Sequence, residues 1–255
     1  MGVDSKTSYQ QPVDKLLTCG MNGWITPEKW PDYRKLGIGP EHIPDLIRMA
    51  TDEELNEANE QNTEVWAPMH AWRALGQLRA VEAIEPLLGL FDRLENDDWV
   101  HDELPDVFAK IGPAALPALT EYVADLSHAV SSQISAITSI EKIGKRWPDV
   151  KSECLALLQE RLERFEENVS EVHGFLVLAY VKLEAGDSPL IERAFDEGYV
   201  DPMVIEECRN AYFFLVPSAD TDILEDGNTA STSFSSSTAD ELLSSSQSRL
   251  LLTTG

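Results

Sequence analysis

The chain has 255 residues and carries 45 acidic against 20 basic side chains, which gives a formal net charge of -25 at pH 7. Lys and Arg side chains supply most of the affinity for phosphate backbones and for anionic membrane surfaces. The charge balance therefore argues against nucleic acid and against membranes as partners. No segment approaches the roughly 20 apolar residues that a transmembrane helix needs.

Cysteine content indicates a reducing compartment. Cys19, Cys154 and Cys208 are too few for the disulfide framework of a secreted domain. The first residues also lack the apolar run of a signal peptide. We therefore expect a cytoplasmic protein.

The first part of the chain, residues 1–38, has no regular period. Its aromatic residues alternate with Pro and Gly, as in the segment around Trp24 and the pair Trp30-Pro31. This pattern predicts an irregular leader with one short helix, whose aromatic side chains cover the end of the element that follows.

Helical signals begin at residue 39 and continue to residue 216. The segment 51–54 (TDEE) matches a capping box in which Thr51 accepts from the Glu54 amide. Apolar residues from Ile84 to Leu94 recur at helical spacing. Alternating, β-branched runs are absent, so an all-α domain over 39–216 is predicted.

Two landmarks repeat along this domain. An aliphatic residue followed by Gly recurs at intervals of 36, 32 and 42 residues, at Gly76, Gly112, Gly144 and Gly186. These glycines are interpreted as left-handed residues just past helix ends. A second landmark places Pro near the start of a following helix, at Pro44, Pro86, Pro117 and Pro189. A shared period in the range of 20–50 residues is typical of stacked helix pairs.

Residues 70–76 (HAWRALG), 83–88 (AIEPLL) and 108–119 (FAKIGPAALPAL) carry a family resemblance. They resemble a HEAT-like repeat of the phycobilisome-lyase type, and the resemblance extends over about residues 40–215. It implies a right-handed α-solenoid of four to five helix pairs. Such repeats occur in chromophore lyases, assembly chaperones and scaffolds, so the resemblance does not determine the function.

The last segment, residues 217–255, contains ten Ser and six Thr. The segment has few bulky apolar residues, and their burial cannot offset the backbone entropy that folding would cost. A solvated, disordered tail is predicted here.

No constellation for catalysis, metal or cofactor binding stands out. The His residues lack the i, i+4 pairing of helical metal sites, and the acidic segment 95–103 lacks the glycine turn of a calcium loop. Cys154 lies in an apolar helix pattern, and the acids beside Cys208 should raise its thiol pKa. Cys19 is the remaining thiol candidate. We expect a noncatalytic protein without metal or cofactor.

Binding is assigned to the second helices of the pairs, which commonly line the concave side of such a stack. Their polar faces and one tryptophan in the acidic segment are the candidate partner-binding residues: Glu85, Asp92, Glu121, Glu153, Glu160, Glu192 and Trp99. A mostly negative surface attracts basic segments at long range. The leading hypothesis is an interaction or assembly scaffold for a basic protein partner.

Two alternatives stay open. The resemblance implies a bilin lyase-like or isomerase-like subunit acting on a phycobiliprotein. The acidity could instead serve only solubility or reflect a salty habitat.

Overall fold

The computed structural model describes residues 8–21, 23, 25–59, 61–164, 167–183, 189–196 and 198–199. The chain divides into two compact units, Met1–Pro217 and Ser218–Gly255, and every described residue belongs to the first. Within the described residues every regular element is a helix and none is a strand, which confirms the all-α class. The α-helices are α1 Ile43–Ala50, α2 Glu53–Asn56, α3 Ala67–Leu78, α4 Ile84–Arg93, α5 Asp98–Ile111, α6 Leu116–Ala124, α7 Val130–Arg146, α8 Lys151–Leu162, α9 Ser170–Lys182 and α10 Pro189–Asp196.

The tail predicted over residues 217–255 lies outside the described residues. So do Cys208, Trp24 and Gly186. No helix in the described part of the chain combines the length and the apolar character needed to cross a bilayer.

Helix starts follow the residue chemistry. Pro44, Pro86, Pro117 and Pro189 all fall within the first three residues of their helices, as predicted. There the missing proline N–H costs nothing. The predicted capping box at 51–54 is wrong by one residue. Asp52 caps α2 by accepting from the Leu55 N–H at 3.2 Å, while the Thr51 hydroxyl donates backward to the Ile47 carbonyl at 2.9 Å.

The helices pack in two sets. α3 packs on α5, α5 on α7 and α7 on α9, so that every second helix lies beside its counterpart in the next pair. α6 and α8 contact α7 extensively, whereas α4, α6 and α8 contact one another sparsely. The side chains between the sets form the core, which includes Leu75, Leu87, Leu104, Phe108 and Ile140.

The leader contributes to this core. Short 3-10 turns at Val13–Thr18 and Tyr33–Leu36 are its helical segments. Val13, Leu16, Trp30 and Tyr33 are buried. The expected covering of the end of the following element by the aromatic residues stays a prediction. Gln77 on α3 fixes the leader, because its amide donates to the Pro31 carbonyl and accepts from the Tyr33 N–H.

Among the described members of the repeated glycines, one has a positive φ. Gly112 follows α5 with φ +103° and ψ -158°, which differs from the predicted left-handed helical conformation. Gly76 and Gly144 instead lie inside α3 and α7, and Arg79 is the left-handed residue after α3. A Cβ on Gly76 would lie 3.3 Å from Val107, and one on Gly144 would lie 2.9 Å from Leu183. These two glycines are therefore required by close helix packing.

The substitution Gly112→Ala is expected to lower the free energy of unfolding by about 1–3 kcal/mol. The new Cβ meets the Trp147 ring at 2.9 Å, and the positive φ strains any L side chain. Gly89→Ala is the matched control. Gly89 lies inside α4 with no atom near a Cβ, so the same change is expected to stabilise by about 0.5–1 kcal/mol. Urea unfolding of both variants checks the pair, and equal effects would contradict the assignment.

Candidate functional site

A cavity of about 550 Å³ opens where α2 ends and α5 begins. Three tryptophans, Trp66, Trp72 and Trp99, line it together with Met69. The remaining wall comes from Val65 and Pro68, from residues 56–58 and from residues 93–98, which run from the end of α4 to the start of α5. We call this cavity the tryptophan pocket.

The tryptophans are held in different ways. The Trp66 and Trp99 rings meet edge to face, with centroids 5.4 Å apart, and both are half-buried. Trp72 is buried, and its indole N–H donates to Glu103 at 3.5 Å. The core-anchored Trp72 and the Trp66–Trp99 pair thus give the pocket an aromatic wall.

Carboxylates dominate the polar part of the pocket. Among the described residues, four acids line it, Glu57, Glu95, Asp97 and Asp98, against one cation, Arg93. The Arg93 guanidinium is engaged, because it donates to the Thr51 carbonyl at 3.2 Å. The pocket is therefore negative, and aromatic faces and carboxylates together suit a cationic group.

Asp97 has a structural task in this wall. It caps α5 by accepting from the Trp99 N–H at 2.9 Å and from the Val100 N–H at 3.4 Å. Burial raises the pKa of its carboxyl, and these two N–H groups oppose the rise. The cap fixes the start of α5 and with it the position of Trp99.

Of the predicted partner-binding residues, Trp99 is the one that lines the tryptophan pocket. Five of the predicted acids are exposed and lie outside that pocket: Glu85, Asp92, Glu121, Glu153 and Glu160. Glu192 belongs to α10, and its side chain lies outside the described set.

The Asp92 carboxylate already has partners within the fold. It accepts from the Tyr122 hydroxyl at 2.7 Å and contacts His128 Nδ1 at 2.9 Å. The His128 ring also stacks on the Tyr122 ring with centroids 3.7 Å apart. Asp92 therefore links α4 to α6 and to the segment before α7.

A buried ion pair joins α3 to α5. Arg73 is fully buried, and Glu103 is buried beside it. Arg73 Nε donates to Glu103 Oε2 at 2.6 Å, and Nη2 donates to Oε1. The Trp30 ring centroid lies 5.3 Å from the guanidinium carbon. This pair was not predicted from the sequence, although an Arg within the mostly apolar segment 69–76 indicates that a buried counter-charge is needed.

A second buried network ties the leader to α3. The Gly20 carbonyl can only accept, so His70 Nε2 carries the proton that it donates at 2.8 Å. His70 Nδ1 then accepts from the Tyr33 hydroxyl at 2.7 Å. This arrangement needs the neutral imidazole. Burial lowers the pKa of His70 to about 4, with the nearby Arg73 charge acting in the same direction and the Gly20 bond opposing it.

The described thiols are not activated. Cys154 is fully buried, as predicted, and burial raises its pKa to about 11, with Glu153 adding to the rise. Burial also raises the pKa of the half-buried Cys19. A raised thiol pKa keeps the sulfur protonated at neutral pH and disfavours a nucleophilic role.

Within the described residues, no three His, Cys, Asp or Glu side chains are grouped as metal ligands. Comparison of the chain with protein-family models, with curated proteins and with solved structures finds no match.

Proposed function

We propose that this protein is a noncatalytic binding protein that holds a cationic segment of a protein partner in the tryptophan pocket. The observation that carries the proposal is the pocket itself, where Trp66, Trp72 and Trp99 stand among four carboxylates. A Lys or Arg side chain inserted there would gain ring contacts and ion pairs together. Each such cation–ring contact contributes about 0.5–2 kcal/mol.

We also propose that the helix pairs form a HEAT-like α-solenoid. Side-chain contacts between residues about one period apart support it. Arg73 and Glu103 are 30 residues apart, His101 and Ser135 are 34 apart, and Trp66 lies 33 positions before Trp99. Regular lateral pairing of this kind is what stacked repeats produce.

The position of the partner differs in part from the expectation based on the second helices. The first helices pack against one another far more extensively than α4, α6 and α8 do. Helices α3 and α5 of this first set supply Pro68, Met69, Trp72, Asp98 and Trp99 to the tryptophan pocket. We therefore centre the partner on the tryptophan pocket. The exposed acids Glu85, Glu121, Glu153 and Glu160 stay a prediction for long-range attraction.

Calorimetric titration with a short Lys-rich peptide tests this function. We expect binding whose affinity falls as salt rises, because the carboxylates are screened. Trp99→Ala is expected to weaken binding by about 1–2 kcal/mol. Asp98→Asn removes a pocket charge and is expected to weaken binding as well.

Asp149→Asn is the matched control, because Asp149 is exposed and does not line the pocket. It lowers the net negative charge equally. Equal losses of peptide affinity in Asp98→Asn and Asp149→Asn would show that only general charge attraction is at work and would contradict binding in the pocket. Affinity that is independent of salt would reject the cationic partner. A parallel titration with a free bilin addresses the lyase-like alternative, which an absorbance change would favour.

A further inference from the structure

A second cavity lies at the opposite end of α5 from the tryptophan pocket. It has a volume of about 240 Å³, and the last two turns of α5 and α7 line it together with the leader segment 27–28. Four of the chain's 20 basic residues line it: Lys110, Lys142, Lys145 and Arg146. We call it the basic pocket. In a protein of net charge -25, such a concentration of cations is a strong local reversal.

The four cations are not equally neutralised. Lys142 pairs with Asp106 at 2.9 Å, and Lys145 pairs with Glu141 at 2.7 Å. Lys110 and Arg146 have no ion pair within 4.0 Å among the described residues. Two positive charges therefore face the cavity without a carboxylate in contact. Glu28, the other acid of the lining, is exposed and forms no described ion pair.

Lys110 has a ring contact but also a like charge nearby. Its ammonium lies over the Trp30 ring, 5.2 Å from the centroid, which is a cation–π contact. Partial burial lowers its pKa, the Arg146 charge lowers it further, and Glu28 and Asp106 oppose the fall. The negative ends of the α5 and α7 dipoles favour cations at this edge. The dipoles do not remove the mutual repulsion of Lys110 and Arg146, whereas a bound anion between them would.

We propose that the basic pocket binds a phosphate group of a compact phosphomonoester between Lys110 and Arg146. Two unpaired cations match the charge of about -1.5 to -2 that such a group carries at pH 7. Arg and Lys are the usual phosphate-binding side chains. The cavity is smaller than the roughly 300–1,000 Å³ of sites for drug-sized ligands, so the ligand is small or only its phosphate enters. The site is independent of the proposed cationic partner.

Calorimetric titration of the full chain with inorganic phosphate tests this, against sodium chloride at matched ionic strength. We expect phosphate to bind and chloride to give no saturable heat. Arg146→Gln and Lys110→Gln are each expected to weaken phosphate binding by about tenfold or more. Arg146 is exposed, so its replacement leaves the fold intact.

Arg164→Gln on α8 is the matched control, because it removes an exposed cation that lies outside the basic pocket. It is expected to leave phosphate affinity unchanged. Absence of saturable phosphate binding to the wild type would overturn the proposal, and so would equal losses in Arg146→Gln and Arg164→Gln. Titrations with a small phosphomonoester and with a phosphoserine peptide then identify the source of the phosphate. Tighter binding of the phosphomonoester indicates a free ligand, and tighter binding of the peptide indicates a phosphorylated side chain.

Discussion

Replacement of Glu103 by glutamine is expected to lower the free energy of unfolding by about 3–5 kcal/mol. The variant keeps the size of the side chain but leaves the fully buried Arg73 guanidinium without a counter-charge. Arg73 Nη1 already lacks a hydrogen-bond partner, so the loss of the Glu103 charge adds to an existing hydrogen-bonding deficit. Urea unfolding at neutral pH measures the change.

The double variant Arg73→Met/Glu103→Leu separates the charge from the packing. We expect it to recover most of the lost stability, because apolar side chains of similar volume carry no desolvation penalty. The exposed pair Arg48–Asp45, at 3.0 Å, is the control, and Asp45→Asn is expected to cost about 1 kcal/mol or less. A loss in Glu103→Gln no larger than in Asp45→Asn would show that burial does not amplify the Arg73–Glu103 pair.

Stability is expected to fall on acidification through the titration of His70. Its pKa drops from 6.5 to about 4 on folding, so the unfolded chain binds the proton first. The stabilisation from the neutral imidazole is therefore complete above pH 6.5 and is lost between pH 6.5 and pH 4. The loss amounts to about 3 kcal/mol. Urea unfolding across this pH range measures it.

Three carboxyls contribute to the pH dependence with the opposite sign. Burial raises the pKa of the carboxyls of Asp97, Asp102 and Asp106, and a carboxyl with a raised pKa gains stability as the pH falls. The comparison of wild type with His70→Gln cancels these contributions. The difference between the two curves should shrink toward low pH. Parallel curves would show that His70 does not titrate in this window.

Local chemistry made the helices predictable. The proline positions located four helix starts, because a proline in the first turn loses no hydrogen bond. The apolar spacing from Ile84 to Leu94 predicted α4, which spans Ile84–Arg93. These signals act within one helix, so a single sequence contains them.

The glycine interpretation failed for a physical reason. A sequence shows that a glycine is present, but it does not show whether the backbone conformation or a neighbouring helix requires it. Gly112 has the positive φ, whereas Gly76 and Gly144 face side chains of the next helix.

The two pockets and the buried ion pair are formed by residues that lie about one period apart. In the sequence each of these residues was considered alone, so the pairs were not predicted. Trp99 was identified, but its partner Trp66 was not connected with it. Lys110 and Lys142 each precede an Ile-Gly pair in the sequence, and both line the basic pocket. Equivalent positions in adjacent repeats become neighbours, so comparing repeat positions could have found this cluster.

Helix α5 begins at the acidic tryptophan pocket and ends at the basic pocket. Its 14 residues separate the two by about 20 Å. Within the described residues, the two pockets place opposite charges at the two ends of α5. The field of an approaching cation favours the orientation in which the tryptophan pocket, rather than the basic pocket, faces it.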